Sequence, residues 1–500
     1  MQNLLESPRF RPEDLGKPLP DSAHAVSVCM PTWESVIGYE EGDPLVLDQL
    51  YCGYPRFCLH SRTSRFFGWA EERFGKNDEQ ALIFPCAAAG QRCSEYVERS
   101  HPGTSRVLPR AVGQFSVLLT RGTQASAQAR RYWRFSGEVV SSRQADSLLH
   151  NLTPQPRVAA AESASAAHDE IRQRIAHHAG QNPSDVYLFP SGMAAIFAIH
   201  RLLGQLLPDR PTVQCDFPYV DVLKVQQEFG TAPPIFIPKG SGAELDALEA
   251  KLATTPIAGI FGELPSNPLL RCADTVRLRA IADKAKAPLI LDDTVGTSIN
   301  IDAASSADVV TTSLTKYFSG AGDVLAGAIL LIPGRPHYEQ LTKLLHSDSP
   351  VGLCTEDAEV LARNSRDFEQ RVIKINHTSA LVADFLSSTA QVEDVWYPPL
   401  TTPEHFSQIS RTGAGASGLL SITLKEGEKA AKVFFNRLEV SKGPSLGTNF
   451  TLACPYTLLA HYDELEWAAS LGVRRDLVRL SIGLEDADEL ISRLDRALTS

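Results

Sequence analysis

Two segments of the chain end in the same way, an apolar run followed by polar residues: Leu289-Ile-Leu-Asp-Asp-Thr294 and Asp308-Val-Val-Thr-Thr-Ser-Leu-Thr-Lys-Tyr-Phe-Ser-Gly320. Read as parallel strands of an open α/β sheet, they deliver Asp292 and Lys316 to one crevice, because ligands of such sheets sit beyond the carboxyl ends of the strands. A lysine and a carboxylate at one edge suit pyridoxal 5′-phosphate (PLP). The lysine forms a Schiff base with the aldehyde, and the acid keeps the pyridine nitrogen protonated so that the ring accepts electrons. Taken alone, the pair is also the pattern of a structural ion pair or of a loop lysine. A third element, Phe189-Pro-Ser-Gly-Met-Ala-Ala-Ile196, narrows the choice. Ser191 and Gly192 follow a strand and open an apolar helix, whose unpaired N–H groups and dipole form an anion site suited to a phosphate. Ser191 is also an ordinary N-cap residue. The hydroxyls of Ser313 and Thr315 could donate to the same phosphate or be plain strand-end hydroxyls.

The elements that must position these residues read as β-α-β units. Val186 to Phe189, Pro234 to Ile237, Ile257 to Phe261, Leu289 to Leu291 and Val309 to Thr312 read as strands; Met193 to Leu207 and Thr275 to Lys286 read as helices. Continuous apolar strands between helices predict a largely parallel sheet covered on both faces. After Gly334 the texture changes. A helical stretch from Thr355 to Leu386 precedes strand-like runs at Leu419 to Leu424, Thr451 to Cys454 and Leu477 to Ile482, the expected smaller C-terminal α/β domain. Upstream, the first 25 residues read as an arm or mobile tail. Residues 27–149 mix strand-like runs (Ala81 to Phe84, Gln114 to Leu119, Tyr132 to Phe135) with polar joints, as in a small α+β element. An Ala/Ser-rich joint, Ala159 to Ala167, leads into a helix over His168 to His178. The expected organisation is an N-terminal arm and extension over 1–160, a large domain over 161–340 and a small domain over 341–500.

Five hundred residues, 43% hydrophobic and 21% charged, are enough for several packed units. A net charge of −11 without a basic run argues against nucleic-acid binding. The N-terminus lacks the pattern of a secretory signal, and no apolar run has membrane-spanning length, which predicts a cytoplasmic protein. The nine cysteines are scattered without a CxxC pair and read as free, mostly buried thiols. The histidines show no HxxxH or HExxH spacing, so no metal site is expected.

Ser191-Gly-Met193, Glu263-Leu-Pro-Ser-Asn-Pro268, Leu291-Asp-Asp-Thr294, Ser313-Leu-Thr-Lys316, Gly322-Asp-Val-Leu-Ala-Gly327, Ser445-Leu-Gly447 and Val478-Arg-Leu-Ser-Ile-Gly-Leu-Glu485 occur in this order. In that succession the chain resembles the Cys/Met-metabolism PLP enzymes, specifically cystathionine γ-synthases in their long fungal form, from about residue 25 to the end. The resemblance implies PLP fold type I (aspartate aminotransferase-like): a mostly parallel central sheet in a large domain plus a smaller C-terminal α/β domain. It implies Lys316 as the cofactor-bearing base, Asp292 as the partner of the pyridine nitrogen, and Gly192, Met193, Ser313 and Thr315 around the phosphate. It further implies Tyr219 stacked on the ring with a part in catalysis, Asn267 near the ring hydroxyl with Glu263 close by, Arg479 as the clamp for the substrate carboxylate, and Ser445 positioning Lys316. Gly53-Tyr54-Pro-Arg56-Phe57 takes the place of a Tyr-Ser-Arg segment that reaches into the neighbouring subunit's site. Tyr54 and Arg56 are thus the implied cross-subunit ligands, Tyr54 also for substrate. The family's Asn-Pro-Thr follow-on is missing, and a far longer stretch than usual separates this segment from Ser191. Shared sites imply a homodimer, paired into a homotetramer.

The implied reaction is a γ-replacement: O-acetyl-homoserine, or another O-acyl-homoserine, plus cysteine giving cystathionine. Rival readings are elimination, as in cystathionine or methionine γ-lyases, and addition of a carbon or nitrogen nucleophile in fungal secondary metabolism. A binding protein on the same fold would lack Lys316 or Asp292, and both are present.

Overall fold

The computed structural model describes residues 2–52, 58–76, 78–151, 161–348 and 351–499. Its strands, in chain order, are β1 (Pro18–Leu19), β2 (Ser27–Val28), β3 (Glu79–Phe84), β4 (Ser105–Val112), β5 (Phe115–Arg121), β6 (Val186–Phe189), β7 (Thr212–Cys215), β8 (Ile235–Ile237), β9 (Gly259–Glu263), β10 (Leu289–Asp292), β11 (Val309–Ser313), β12 (Gly327–Leu331), β13 (Val392–Trp396), β14 (Leu419–Leu424), β15 (Ser441–Lys442), β16 (Leu452–Pro455) and β17 (Val478–Ser481).

Seven strands form the large sheet in the order β6-β12-β11-β10-β9-β7-β8. Only β12 runs against its neighbours, β11 and β6. The other adjacent pairs are parallel, so β6, β7, β9, β10 and β11 all end at one edge. Nearly every side chain in these strands is buried, the signature of a sheet covered on both faces. The α/β class and the mostly parallel sheet agree with the expectation from sequence. β7 and β12 are not among the strands expected from sequence: Thr-Val-Gln-Cys carries too few apolar residues to show a period, and Gly-Ala-Ile-Leu-Leu is a short apolar run without one.

The second sheet, β13-β14-β17-β16-β15, packs with the Phe368–Ser388 and Ala487–Thr499 helices. The long helix expected over 355–386 is two helices, Thr355–Asn364 and Phe368–Ser388. At the break, buried Arg371 donates to Tyr317 O and Phe318 O at 2.9 Å and to Asn364 O at 3.3 Å. The second helix is thereby tied to the turn that follows Lys316.

The N-terminal part holds a three-stranded antiparallel sheet, β3-β5-β4, flanked by the Ser61–Phe74, Ala87–Glu98 and Thr123–Ser136 helices. Tyr132 to Phe135, expected as a strand, lies in the last of these. Ala125, Ala129, Tyr132 and Trp133 recur at helical spacing and form its buried face. From Ala161 the Ala/Ser joint is likewise helical, in Ala161–Ala179, since alanine is the strongest helix former and neither Gly nor Pro interrupts this span; Ala159 and Ala160 lie outside the described residues. The first residues are not a mobile tail. Leu4 and Leu19 are buried against Phe450 and Leu452 of the second sheet, and Arg9 and Lys442 join the two segments backbone to backbone. Among the described residues no helix is long and apolar enough to cross a membrane.

Candidate active site

The common edge of β6, β7, β9, β10 and β11 opens on a cavity. The large sheet contributes Asp292, Ser313, Lys316 and Glu263, the loop after β7 contributes Tyr219, and the helix after β6 contributes Gly192 and Met193. From the second sheet come Arg479, Cys454, Tyr456 and Pro444, and from the N-terminal arm Val28, Met30, Tyr39 and Cys58.

Lys316 is 9% exposed, and its Nζ donates to Ser445 Oγ at 3.0 Å. The turn carrying Ser445 presses against the lysine's backbone at Gly447, which has φ +70° and where a Cβ would lie 2.6 Å from Tyr317 N. Only glycine fits there. Asp292 Oδ1 accepts from Thr294 N at 3.0 Å and Oδ2 from the Thr311 hydroxyl at 2.8 Å. Burial nevertheless holds its carboxyl above the ordinary value; a cation against it would pull that value down. Asp293 turns to Thr312, and burial pushes it up to about 7.

Ser191 caps the Gly192–Leu206 helix: its Oγ accepts from Ala194 N at 3.0 Å and donates to Gly137 O at 2.9 Å. This leaves the N–H groups of Gly192 and Met193 as helix-start donors. A Cβ on Gly192 would sit 2.8 Å from Ser313 Cβ, so the helix start lies directly over that strand end. Ser313 Oγ is buried with no hydrogen-bond partner among the described residues. Thr315 is placed differently. Its hydroxyl accepts from Ala326 N at 3.1 Å and donates to Ala326 O at 3.3 Å, and it does not line the cavity.

Arg479 is 3% exposed and engaged all round, donating to Asn267 Oδ1 at 3.2 Å, Pro444 O at 2.8 Å and Ser445 O at 3.0 Å. Its guanidinium lies 4.9 Å from the centroid of the Tyr456 ring, whose hydroxyl accepts from Asn267 Nδ2 at 3.3 Å. Tyr219 donates its N–H to Glu263 Oε1 at 2.7 Å and its hydroxyl to Asp221 Oδ2 at 3.3 Å. Glu263 Oε2 is buried without a partner among the described residues, and burial raises its carboxyl well above the usual range.

Lys316, Tyr219, Gly192, Met193, Asn267, Asp292, Ser313 and Arg479 thus meet around one cavity, with Ser445 touching Lys316. Tyr54 and Arg56 lie outside the described residues. Tyr456, Gly137 and Arg371 escaped sequence reading. Tyr456 looks like any core aromatic, Gly137 acts through its carbonyl, and Arg371 sits in the first turn of its helix on carbonyls that no spacing reveals.

The residues present fit PLP. The unpartnered Ser313 hydroxyl under two free helix-start N–H groups suits its phosphate, the desolvated Asp292 suits a cationic ring nitrogen, and the buried amine suits its aldehyde. Fold and site together define a PLP-dependent enzyme of fold type I. The chain belongs to the Cys/Met metabolism PLP-dependent enzyme family, whose profile matches residues 163–499, and a fungal trans-sulfuration enzyme N-terminal domain matches residues 64–141. PLP is its cofactor. Cystathionine gamma-synthase of Neurospora crassa is 32% identical, with 97% of this chain and 98% of that protein covered. The cystathionine gamma-synthase-like protein ankD of Aspergillus thermomutatus is 35% identical over 97% of this chain and 94% of its own length. The crystal structure of cystathionine gamma synthase from Xanthomonas oryzae pv. oryzae in complex with aminoacrylate and cysteine is similar at a TM-score of 0.60 and 25% identity, covering 69% of this chain and 89% of that one.

Proposed function

We propose that the chain catalyses γ-replacement on an O-acyl-L-homoserine, O-acetyl-homoserine with cysteine giving cystathionine and acetate. The observation that carries this reading is the pairing, in one cavity, of the buried Lys316 amine with the Arg479 guanidinium, beside the Ser313 and Gly192 phosphate cradle. The near full-length likeness to fungal cystathionine gamma-synthases supports it.

Bound PLP supplies an electron-accepting ring that makes protons at the substrate's Cα and Cβ removable. The chain supplies the rest. Gly192 N–H, Met193 N–H and Ser313 Oγ would hold the phosphate; Thr315, hydrogen-bonded to Ala326, stands outside the cavity. Asp292 holds the ring nitrogen, Tyr219 covers the ring, and Asn267 stands by its hydroxyl. Arg479 receives the substrate carboxylate, its fork already oriented by Asn267 and two carbonyls. Lys316 Nζ, steered by Ser445, would remove the Cα and Cβ protons and return them, while the Cγ–O bond breaks to release acetate and the cysteine sulfur bonds to Cγ, its thiol proton passing to solvent.

The same reading makes the enzyme a homodimer with shared sites, paired into a homotetramer, in which Tyr54 and Arg56 serve the neighbouring subunit. Leu45, Leu47 and Tyr51, just before that segment, are 78%, 40% and 52% exposed, an apolar surface of the kind a partner buries. A cytoplasmic setting goes with nine free thiols. Incubating the holoenzyme with O-acetyl-homoserine, with and without cysteine, tests the reaction. Cystathionine formation is expected; oxobutyrate and ammonia from cystathionine alone would replace the synthase reading with a lyase, and turnover only with a carbon or nitrogen nucleophile would replace the acceptor.

A further inference from the structure

A second cavity lies where the N-terminal unit meets the large domain. It is bounded by the end of the Ala87–Glu98 helix, the Thr123–Ser136 helix, the C-terminal half of the Gly192–Leu206 helix and the end of the Val220–Phe229 helix. Its apolar wall is a cluster of rings: Phe197 and Phe229 have centroids 4.9 Å apart, with Tyr96 at 5.3 Å and Tyr132 at 5.5 Å from Phe229. Four arginines line it. Arg92 is paired with Glu138, and Arg201 with both oxygens of Asp348. The guanidiniums of half-buried Arg210 and exposed Arg99 have no ion pair or hydrogen-bond partner among the described residues. The one carboxylate in the lining, Glu95, is exposed and accepts from Gln91. Four guanidiniums against the carboxylates of Glu138, Asp348 and Glu95 leave positive charge here, on a chain whose net charge is −11.

The wall also holds a buried imidazole. His200 is 6% exposed and lines the cavity, and its buried Nδ1 has no hydrogen-bond partner among the described residues. Burial lowers its pKa to about 4, so the ring is a neutral donor or acceptor. A buried polar atom without a partner is costly and is usually satisfied by a ligand or water. At Gly204, also in the lining, an added Cβ would meet nothing within 4 Å.

We propose that this cavity is a binding site for a small molecule carrying an anionic group, carboxylate or phosphate, on a flat apolar body. The anion is taken by Arg99 and Arg210, the body lies against the Tyr96, Phe197 and Phe229 rings, and His200 supplies one hydrogen bond. The two helices that contribute most of the wall begin at the active site, at Gly192 and just after Tyr219. An occupant therefore bears on these same helices about 8–18 Å beyond the ends that face the cofactor's phosphate and ring. The site stands apart from the catalytic reading and does not depend on it.

The test is calorimetric titration of PLP-loaded enzyme, whose own phosphate cradle is filled, with phenyl phosphate, benzoate and inorganic phosphate. Saturable binding of phenyl phosphate or benzoate at one site per chain is expected, with inorganic phosphate about tenfold weaker, and the tighter of the two aromatic probes identifies the head group. Gly204→Leu, which fills the space and replaces a poor helix former with a good one, should abolish binding while cofactor absorbance and unliganded kcat stay as in the parent. Arg99→Ala with Arg210→Ala should weaken it about tenfold or more. Undiminished binding in Gly204→Leu, equal affinity for inorganic phosphate, or no saturable binding of either aromatic probe would each overturn the proposal.

Discussion

The two ends of the active-site cavity are built on opposite principles. At the clamp end, Arg479 makes three hydrogen bonds and rests on the Tyr456 ring before any substrate arrives. At the cofactor end, Ser313 Oγ and Glu263 Oε2 are buried without partners among the described residues, and Asp292 is held against its own desolvation. Buried polar atoms without partners cost about 1–3 kcal/mol each, so the cofactor end is strained until filled, whereas the clamp end is rigid when empty. One end is completed by what it binds, and the other is ready in advance.

Substitutions at the cofactor end should therefore damage function while sparing or stabilising the apoprotein. Lys316→Ala should lower turnover by about 10³-fold or more, and borohydride should no longer fix cofactor to the chain; label retained at another lysine would break the assignment. Asp292→Asn should lower kcat about 10²-fold yet raise the melting temperature of the apoprotein, because a desolvated acid is removed; a lowered melting temperature would erase the contrast. At the clamp end, Arg479→Lys should cost about 10- to 100-fold in kcat/KM, mostly through KM, and lower the apoprotein's melting temperature as well, since a lysine cannot replace the fork. Ser313→Ala should weaken cofactor retention about tenfold on dialysis and leave apoprotein stability unchanged or higher.

The remaining effect concerns pH. The Asp293 carboxyl keeps its proton up to about 7 in the folded chain, against 3.8 ordinarily. Between those values the folded state binds more protons than the unfolded one, so stability is greatest below pH 4 as far as this group is concerned and falls as pH rises toward 7. Asp293→Asn should flatten that fall by about 1–3 kcal/mol, read from urea unfolding of the apoprotein at pH 4 and pH 7.

Much of this contrast was legible in the residues. The apolar runs ending in Asp292 and Lys316 announce strands with chemistry at their carboxyl ends, and a Ser-Gly pair after β6 announces a helix start that binds anions. Such signals are local, since strand period, cap and turn chemistry act within a few residues. The N-terminal unit was harder to read. Tyr132 to Phe135 reads as a strand because three aromatic residues in four positions hide the Ala125, Ala129, Tyr132 spacing of the helix. Thr315 was expected at the phosphate because of its place before Lys316, but whether its hydroxyl meets a ligand or Ala326 depends on where β12 lies, and a run such as Gly-Ala-Ile-Leu-Leu does not say which strand it pairs with.

By itself the sequence determined the α/β class, the lysine, the acid and the helix start, because each is written in a short stretch whose conformation is set by its own residues. Tertiary structure alone decided that Ser445 and Gly447 lie against Lys316, that Asn267 and Tyr456 orient Arg479, that Arg371 anchors the turn beyond the lysine, and that Gly137 of the N-terminal unit takes up the Ser191 hydroxyl. These partners are far apart along the chain. They meet only where sheet order and the packing of the arm close the long loops, and neither follows from local preference.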